Sequence, residues 1–499
     1  MKKAFLGLGT AVVVLAAVVV GRAATLHSKQ IAVPPRADVA LDAAAATKAA
    51  EHLAAAVRFK TLSNFDPKNV DVAAFEGFVT WLETTYPLAH ATLSRERAGP
   101  GGRGLLYEWK GSDPAARPVL LISHYDVVPV EPGTEANWTQ PPFDGVIADG
   151  FVWGRGAVDD KQGVVGVFEA IEILLAKGHA PKRSIHLAFG SDEEVGGQDA
   201  KAAAALYAQR GVKFEMSLDE GLPISVGIIP DLPKPVALVG MAEKGYLSVE
   251  LIAAGPGGHS SVPPPETAVS ILAAAITALA SHPMPANLDG PAATLFQWTG
   301  PEMPFAKRIP LANLWLFGPL VEATMSKKAP TNALIRTTTA PTMLSGSVKD
   351  NVLPQKATAV VNFRILPGET IALVLARVKE IIGDERVTLR PFEHTMAEPS
   401  KRASTDSASF RLLHRTIAET QPDVLVAPGI VLGATDSRHY RDVVDDSFRF
   451  RPVRSGPEDV KRVHGTDERL SVENFAACIG FYGQLLVNLD APAGAPTAP

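Results

Sequence analysis

Cysteine is almost absent from this chain: Cys478 is the only one in 499 residues. No intrachain disulfide can form, and no cysteine-ligated zinc site is possible. Any bound metal would have to be held by His, Asp and Glu. Positive charge is also in short supply. Lys and Arg number 48 against 53 Asp and Glu, a net charge of -5, with no basic patch, which excludes nucleic acid as a partner. The chain has no Gly-x-Ser-x-Gly elbow, which argues against a serine hydrolase. It has no His-Glu-x-x-His helix, which argues against that single-zinc design. Internal repeats are missing too. What remains, 46% hydrophobic and 20% charged, is ordinary globular composition, in a chain long enough for two or more domains.

The N-terminus reads as an export segment. Lys2 and Lys3 precede an uncharged stretch over residues 4–21, and Arg22 follows. Its length is close to the ~18 residues of a credible spanning helix. Arg22 intrudes on a small-x-small cleavage site, so a retained anchor is favoured over a removed signal. Either form puts the body outside the cytoplasm, membrane-anchored or secreted.

Beyond Pro34-Pro35 the pattern alternates. Residues 43–86 are helical, with Phe75, Phe78 and Trp81 on a repeating face, and Pro87 stops the run. Residues 119–122 are a short apolar run, as in a strand covered on both faces, and His124 and Asp126 follow at its end. Residues 184–190 form another strand, ending in Ser191-Asp-Glu-Glu-Val-Gly-Gly197. Residues 214–218 form a third, ending in Asp219-Glu220. Between the first two strands, Trp153-Gly-Arg-Gly-Ala-Val-Asp-Asp-Lys-Gln-Gly163 leads into an apolar-periodic helix, with Asp159 and Asp160 at its N-terminus. Strands alternating with helices give an α/β fold with a mostly parallel sheet, whose ligands bind beyond the carboxyl ends of the strands. From residue 246 the order changes to βαββαβ, an inserted α+β domain: strands over 246–252, 333–339, 356–365 and 386–390, helices over 266–279 and 370–382. A stretch rich in Pro, Phe and Trp over residues 283–329 decorates it.

Acids and histidines recur at one edge of the expected sheet. Two ions close together need a bridging carboxylate and roughly two further ligands each. Asp159 is placed to bridge; His124 and Asp219 complete one ion, Glu194 and His464 the other. Glu193 is left beside the metals as a proton carrier, and Asp126 is placed to orient the His124 ring. Taken singly, paired acids are common helix caps and a lone histidine is ordinary surface. The case rests on their coincidence at strand ends.

Ser123-His-Tyr-Asp-Val-Val-Pro129, Gly154-Arg-Gly-Ala-Val-Asp-Asp-Lys-Gln-Gly163, Phe189-Gly-Ser-Asp-Glu-Glu-Val-Gly-Gly197 and His464 resemble the dinuclear zinc exopeptidase family of aminoacylase, glutamate carboxypeptidase and carboxypeptidase S. The resemblance runs from about residue 45 to 490. It implies two Zn2+ ions, with Co2+ as another possible divalent ion, a Glu193 that works on a bridging water, and a cis Asp159-Asp160 peptide. Gly257-Gly-His-Ser-Ser261 resembles the family's lid loop, whose histidine (His259 here) stabilises an oxyanion, often across a homodimer. Asn351-Val-Leu-Pro354 and Asn362-Phe-Arg-Ile-Leu-Pro-Gly368 resemble segments whose Asn and Arg hold a substrate carboxylate, which points to Asn351 and Arg364. Gly433-Ala-Thr-Asp-Ser-Arg438 resembles a pocket-lining loop.

The implied division is a signal or anchor over residues 1–25, a linker over 26–44, a catalytic domain over 45–245 and 398–490, a lid over 246–397 and a disordered tail over 491–499. Asn313-Leu-Trp-Leu-Phe317 and Thr331-Asn-Ala-Leu-Ile-Arg-Thr-Thr-Thr-Ala340 resemble the carboxypeptidase S and N-fatty-acyl amino acid hydrolase branch. The implied activity is hydrolysis of the amide bond to a C-terminal amino acid with a free carboxylate, in a peptide or an N-acyl amino acid. The alternative is a non-catalytic binding protein of the same fold. Membrane association, if any, would run through an uncleaved N-terminal segment.

Overall fold

The computed structural model describes residues 2–392 and 396–490, with the backbone alone for residues 2–9. The expected tail over 491–499 lies outside the described residues. The chain divides into two compact units. One comprises Ser28–Met241, Arg402–Gly429 and the chain from Thr435 onward. The other comprises the chain up to His27, Ala242–Lys401 and Ile430–Ala434.

The first unit is built on a sheet of β1 (Ser94–Ala98), β2 (Gly104–Trp109), β3 (Val119–His124), β4 (Ile185–Gly190), β5 (Phe214–Ser225), β6 (Val236–Glu243), β7 (Leu425–Val431) and β8 (Val444–Ser455), in the order β1-β2-β4-β3-β5-β8-β6-β7. The four strands β4, β3, β5 and β8 are parallel neighbours, so their carboxyl ends share one edge. The mostly parallel α/β sheet is therefore as expected. Every residue of β3 is buried, which is why its sequence is a continuous apolar run instead of an alternating one. The helix Lys161–Ala176 is buried along most of its length, and Phe168 stacks on Tyr86 with ring centroids 5.3 Å apart. Helix Val72–Thr85 buries Phe75 and Phe78, and Phe78 stacks on Tyr125, next to His124, at 5.0 Å. Aromatic packing thus anchors the backbone that carries the first histidine.

The second unit holds a four-stranded antiparallel sheet, in spatial order Thr338–Ser345, Lys356–Ile365, Gly245–Ala254 and Val387–Pro391. Helices Ala268–Ser281 and Ile371–Ile382 supply Leu272, Ala275, Val374 and Val378 to its core. Thr267 caps the first of these through a reciprocal pair with Ser270, and Thr370 caps the second. The expected order is present with one correction. Residues 329–335 are a helix, not the start of a strand, and the strand begins at Thr338. Pro330 sits in the first turn of that helix, where its missing N–H costs nothing.

The Pro-rich stretch folds into the helices Pro291–Thr299, Phe305–Ala312 and Leu314–Met325. The N-terminal helix Lys2–Ala24 joins them: Asn313 Nδ2 donates to Val19 O at 3.0 Å and Arg22 Nε to Ala312 O at 3.2 Å. Among the described residues no helix is long and apolar enough to cross a membrane, which leaves the retained anchor without support.

Candidate metal centre

His124 and the Glu193–Glu194 turn sit where parallel strands end, Asp159 and His464 come from turns beside helices, and Glu220 comes from within β5. His124 is the last residue of β3 and is 1% exposed. Its Nε2 lies 3.3 Å from Asp159 Oδ1, and its Nδ1 lies 3.1 Å from Asp126 O and 3.3 Å from Asp126 Oδ1. Asp126, wholly buried, also reaches across to the turn after β4: its Oδ1 accepts from Glu193 N and its Oδ2 from Glu194 N, both at 3.2 Å. One carboxylate therefore orients the histidine and fixes the two glutamates. His464 Nε2 stands 3.1 Å from Asp159 Oδ2 and 3.0 Å from Glu194 Oε1. Donor atoms about 3 Å apart match the separation of ligands that each sit ~2 Å from one shared ion.

Among the described residues, three sets of side chains bring potential ligand atoms within 4.8 Å of one another: His124, Asp159 and Glu220; Asp159, Glu194 and His464; and His124, Glu193 and Glu194. Asp159 belongs to the first two, with Oδ1 toward His124 and Oδ2 toward His464. The donors are oxygens and imidazole nitrogens only, a set that suits zinc and its neighbours.

The structure rearranges one expected pair. Glu220, which the sequence reading passed over, joins His124 and Asp159. Asp219 turns to the loop after β7: its Oδ2 accepts from Thr435 Oγ1 at 2.7 Å and from Ser437 N at 2.8 Å. Asp219 Oδ1 accepts from Glu220 N at 2.9 Å. The reason is the pleat: both residues lie inside β5, which runs on to Ser225, so neighbouring side chains point to opposite faces.

Asp159 and Asp160 do not act as helix caps. Asp160 precedes the helix at Lys161 with no side-chain cap bond, and the Asp159-Asp160 peptide is cis. Asp160 accepts from Ser123 Oγ and from Gln162 Nε2, the latter at 2.9 Å. Glu468, also missed in the sequence, holds the loop in front of them. Its Oε1 accepts from the amides of Gly156, Val158 and Asp159 at 3.0, 2.8 and 3.1 Å, and its Oε2 from Arg155 Nη1 at 2.5 Å. Arg451 Nη1 donates to Val158 O at 2.8 Å on the same segment.

Electrostatics sort the carboxyl groups into two kinds. Burial raises Asp159, but the hydrogen bonds from His124 and His464 and the Arg451 charge outweigh it and hold it well below the usual range. Burial raises Glu193 well above the usual range, and the charges of Asp436, Glu220 and Glu194 add to that against the opposing pull of His124. One carboxyl is thus kept ionised, while Glu193 binds protons more tightly than an ordinary glutamate.

The remaining expected residues lie in the second unit. Gly258–His259 pairs with Val352–Leu353. His259 Nδ1 accepts from Ser261 N at 3.1 Å, which in the neutral ring leaves the proton on Nε2. Asn351 O accepts from Ser260 N at 3.2 Å, placing Asn351 beside that histidine loop. Arg364 stacks over the Tyr246 ring, 4.6 Å from its centroid.

The family model for peptidase family M20/M25/M40 matches residues 120–488, the span that carries every donor of the centre. The chain belongs to the M20/M25/M40 peptidase family. It is 39% identical to the probable carboxypeptidase S-like 2 of Dictyostelium discoideum, over 88% of this chain and 85% of that protein. It is 38% identical to the N-fatty-acyl-amino acid synthase/hydrolase PM20D1 of Bos taurus (88% and 87%), and 31% identical to carboxypeptidase S of Saccharomyces cerevisiae (82% and 78%). Among solved structures, the M20 family metallo-carboxypeptidase Sso-CP2 from Sulfolobus solfataricus shares the fold at a TM-score of 0.62 and 17% identity, over 90% of this chain and 100% of that one. As an M20 family member the protein is a metal-dependent hydrolase of the carboxypeptidase and amidohydrolase kind.

Proposed function

We propose that this M20 hydrolase cleaves the amide bond between an acyl group and an amino acid whose carboxylate is free, and that an N-acyl amino acid is preferred to a peptide. The observation that carries the reaction class is Asp159, shared between two donor sets on opposite sides of one carboxylate. His124, Asp159 and Glu220 would hold one zinc ion, and Asp159, Glu194 and His464 a second. Ions in such a pair acidify water and polarise a carbonyl.

The chain's own residues do the rest. Glu193 accepts the proton of the attacking water and returns it to the departing amine, a role suited to a carboxyl whose affinity for protons is raised. Asp126 keeps Glu193 and Glu194 in place through their amides. His259, with its proton on Nε2, donates to the oxyanion. Arg364 and Asn351 receive the substrate carboxylate, the guanidinium offering a two-bond clasp while the Tyr246 ring beneath its carbon restrains it. The similarity to the bovine N-fatty-acyl-amino acid synthase/hydrolase supports the N-acyl preference. The charged, then apolar N-terminal sequence supports export from the cytoplasm, which cell fractionation tests.

The deciding experiment is a hydrolysis screen of N-acyl amino acids and dipeptides, each with free and amidated carboxylates, on protein supplied with zinc and then cobalt. Cleavage confined to free-carboxylate substrates supports the reading, and no cleavage of any of them rejects it. In a homodimer joined through the insertion, His259 would serve the neighbouring site. Mixing Glu193→Ala and His259→Ala chains then restores turnover, and a mixture as inactive as its parts argues for a site made by one chain.

A further inference from the structure

Asp436 is a buried acid without a hydrogen-bond partner. It is 2% exposed, and neither carboxylate oxygen takes part in a hydrogen bond among the described residues. Burying such a group without a partner is costly, so its retention calls for a reason. Its surroundings supply one. A Cβ added to Gly190 would meet Asp436 Oδ2 at 2.6 Å, and a Cβ added to Gly197 would meet Asp436 Oδ1 at 2.1 Å. These glycines open and close the Ser191–Gly196 turn that presents Glu193 and Glu194, so the carboxylate fills the gap across the base of that turn. Gly190 also pairs with His124 across β4 and β3.

The residues flanking Asp436 hold the other half of the centre. Thr435 Oγ1 and Ser437 N bind Asp219, next to Glu220, and Arg449 Nε donates to Ser437 Oγ at 2.8 Å. Further along, His439 Nε2 lies 3.2 Å from Gly196 O, in the glutamate turn itself. One short segment thus touches both carboxylate-bearing structures while supplying no ligand.

We propose that Asp436 is a positioning residue of the metal centre: wedged between Gly190 and Gly197, it sets the Glu193–Glu194 turn relative to the Asp219–Glu220 strand, and its charge favours the cations those residues hold. This rests on the two-ion reading above. Partners of this kind, outside the ligand set, typically change metal affinity or activity 10- to 100-fold when altered.

Asp436→Asn keeps the shape and removes the charge. Zinc affinity of purified wild-type and variant protein is measured by chelator competition, alongside thermal unfolding of the metal-free forms and kcat and KM on a cleaved substrate. The expected result is a tenfold or greater loss of zinc affinity and of kcat, an unchanged KM, and metal-free stability equal to or above wild type. Gly190→Ala, which displaces the carboxylate sterically, should produce the same losses, and the double variant should lose little more than either single one. Wild-type zinc affinity and kcat in Asp436→Asn overturn the proposal. So does a loss of affinity matched by collapse of the metal-free fold in both variants. If the wild-type protein itself takes up no zinc, the two-ion reading fails first and takes this one with it.

Discussion

Glu468 Oε1 and the Asp159 amide stand 3.1 Å apart, and the same oxygen accepts from Gly156 and Val158. The carboxylate that two ions would share is therefore held through its backbone by another acid, four residues beyond His464. Glu468 is wholly buried and its second oxygen is engaged by Arg155. Removing it strands the Arg155 charge and three amides in the interior. Glu468→Ala should lose about 3–5 kcal/mol of stability, the usual cost of breaking a buried pair from one side. Urea unfolding of the metal-free protein measures it, and a loss below 1 kcal/mol would show the loop to be held by other means.

Glu193 offers the sharpest separation of binding from chemistry. It lies within reach of His124 and Glu194, but the two donor sets that share Asp159 are complete without it. Glu193→Ala should therefore keep the metal content of the wild type and lower kcat by roughly 10²–10⁴-fold, the range for a removed general base. Metal analysis and turnover are read on the same preparation. Wild-type turnover would remove Glu193 from the mechanism.

Asp219 and Glu220 make opposed predictions. Glu220 joins His124 and Asp159, while Asp219 is bonded to Thr435 and Ser437. Glu220→Gln should abolish tight binding of one ion. Asp219→Asn should weaken binding about 10- to 100-fold without lowering its stoichiometry, as expected of a supporting group. A reversed outcome would return Asp219 to the ligand set.

This pair also marks where the sequence stops being readable. The parallel sheet was legible because buried strands leave apolar runs, and the site because acids and histidines cluster where those runs end. Which of two adjacent acids faces the ions depends on where the strand ends and on its register. An end at Leu218 leaves both in a loop, whereas β5 continues to Ser225 and sends them to opposite faces. Glu468 was invisible for another reason. It bonds mainly to backbone amides, and amides carry no sequence signal. Helix Ala329–Ile335 leaves no clear sequence signal because its residues suit either structure, and only the position of Pro330 tips the balance.

Arg364 carries the substrate prediction. Its guanidinium carbon lies over the Tyr246 ring, 4.6 Å from the centroid, where the ring attracts the cation and restrains its position. Arg364→Ala should raise KM for free-carboxylate substrates at least tenfold and remove the preference for them over their amides. Arg364→Lys should recover only part of it, because a point charge lacks the fork. Comparing kcat/KM for acid and amide pairs decides the matter, and an undiminished preference in Arg364→Ala would place the carboxylate elsewhere.

His414 gives the pH dependence of stability. It lies on the helix Ala408–Thr420, 3% exposed, and burial lowers its pKa from 6.5 to about 4. Between those two values the unfolded chain binds a proton that the folded chain refuses. The contribution is whole above pH 6.5 and is lost as the pH falls toward 4, at up to about 1.4 kcal/mol per pH unit and about 3 kcal/mol in all. His414→Leu keeps an apolar group of similar reach and removes the titration. Its unfolding free energy should therefore fall less steeply than the wild type's between pH 6.5 and 4, and run parallel to it above pH 7. Parallel curves over the whole range would mean that the imidazole is protonated inside the fold as readily as in water.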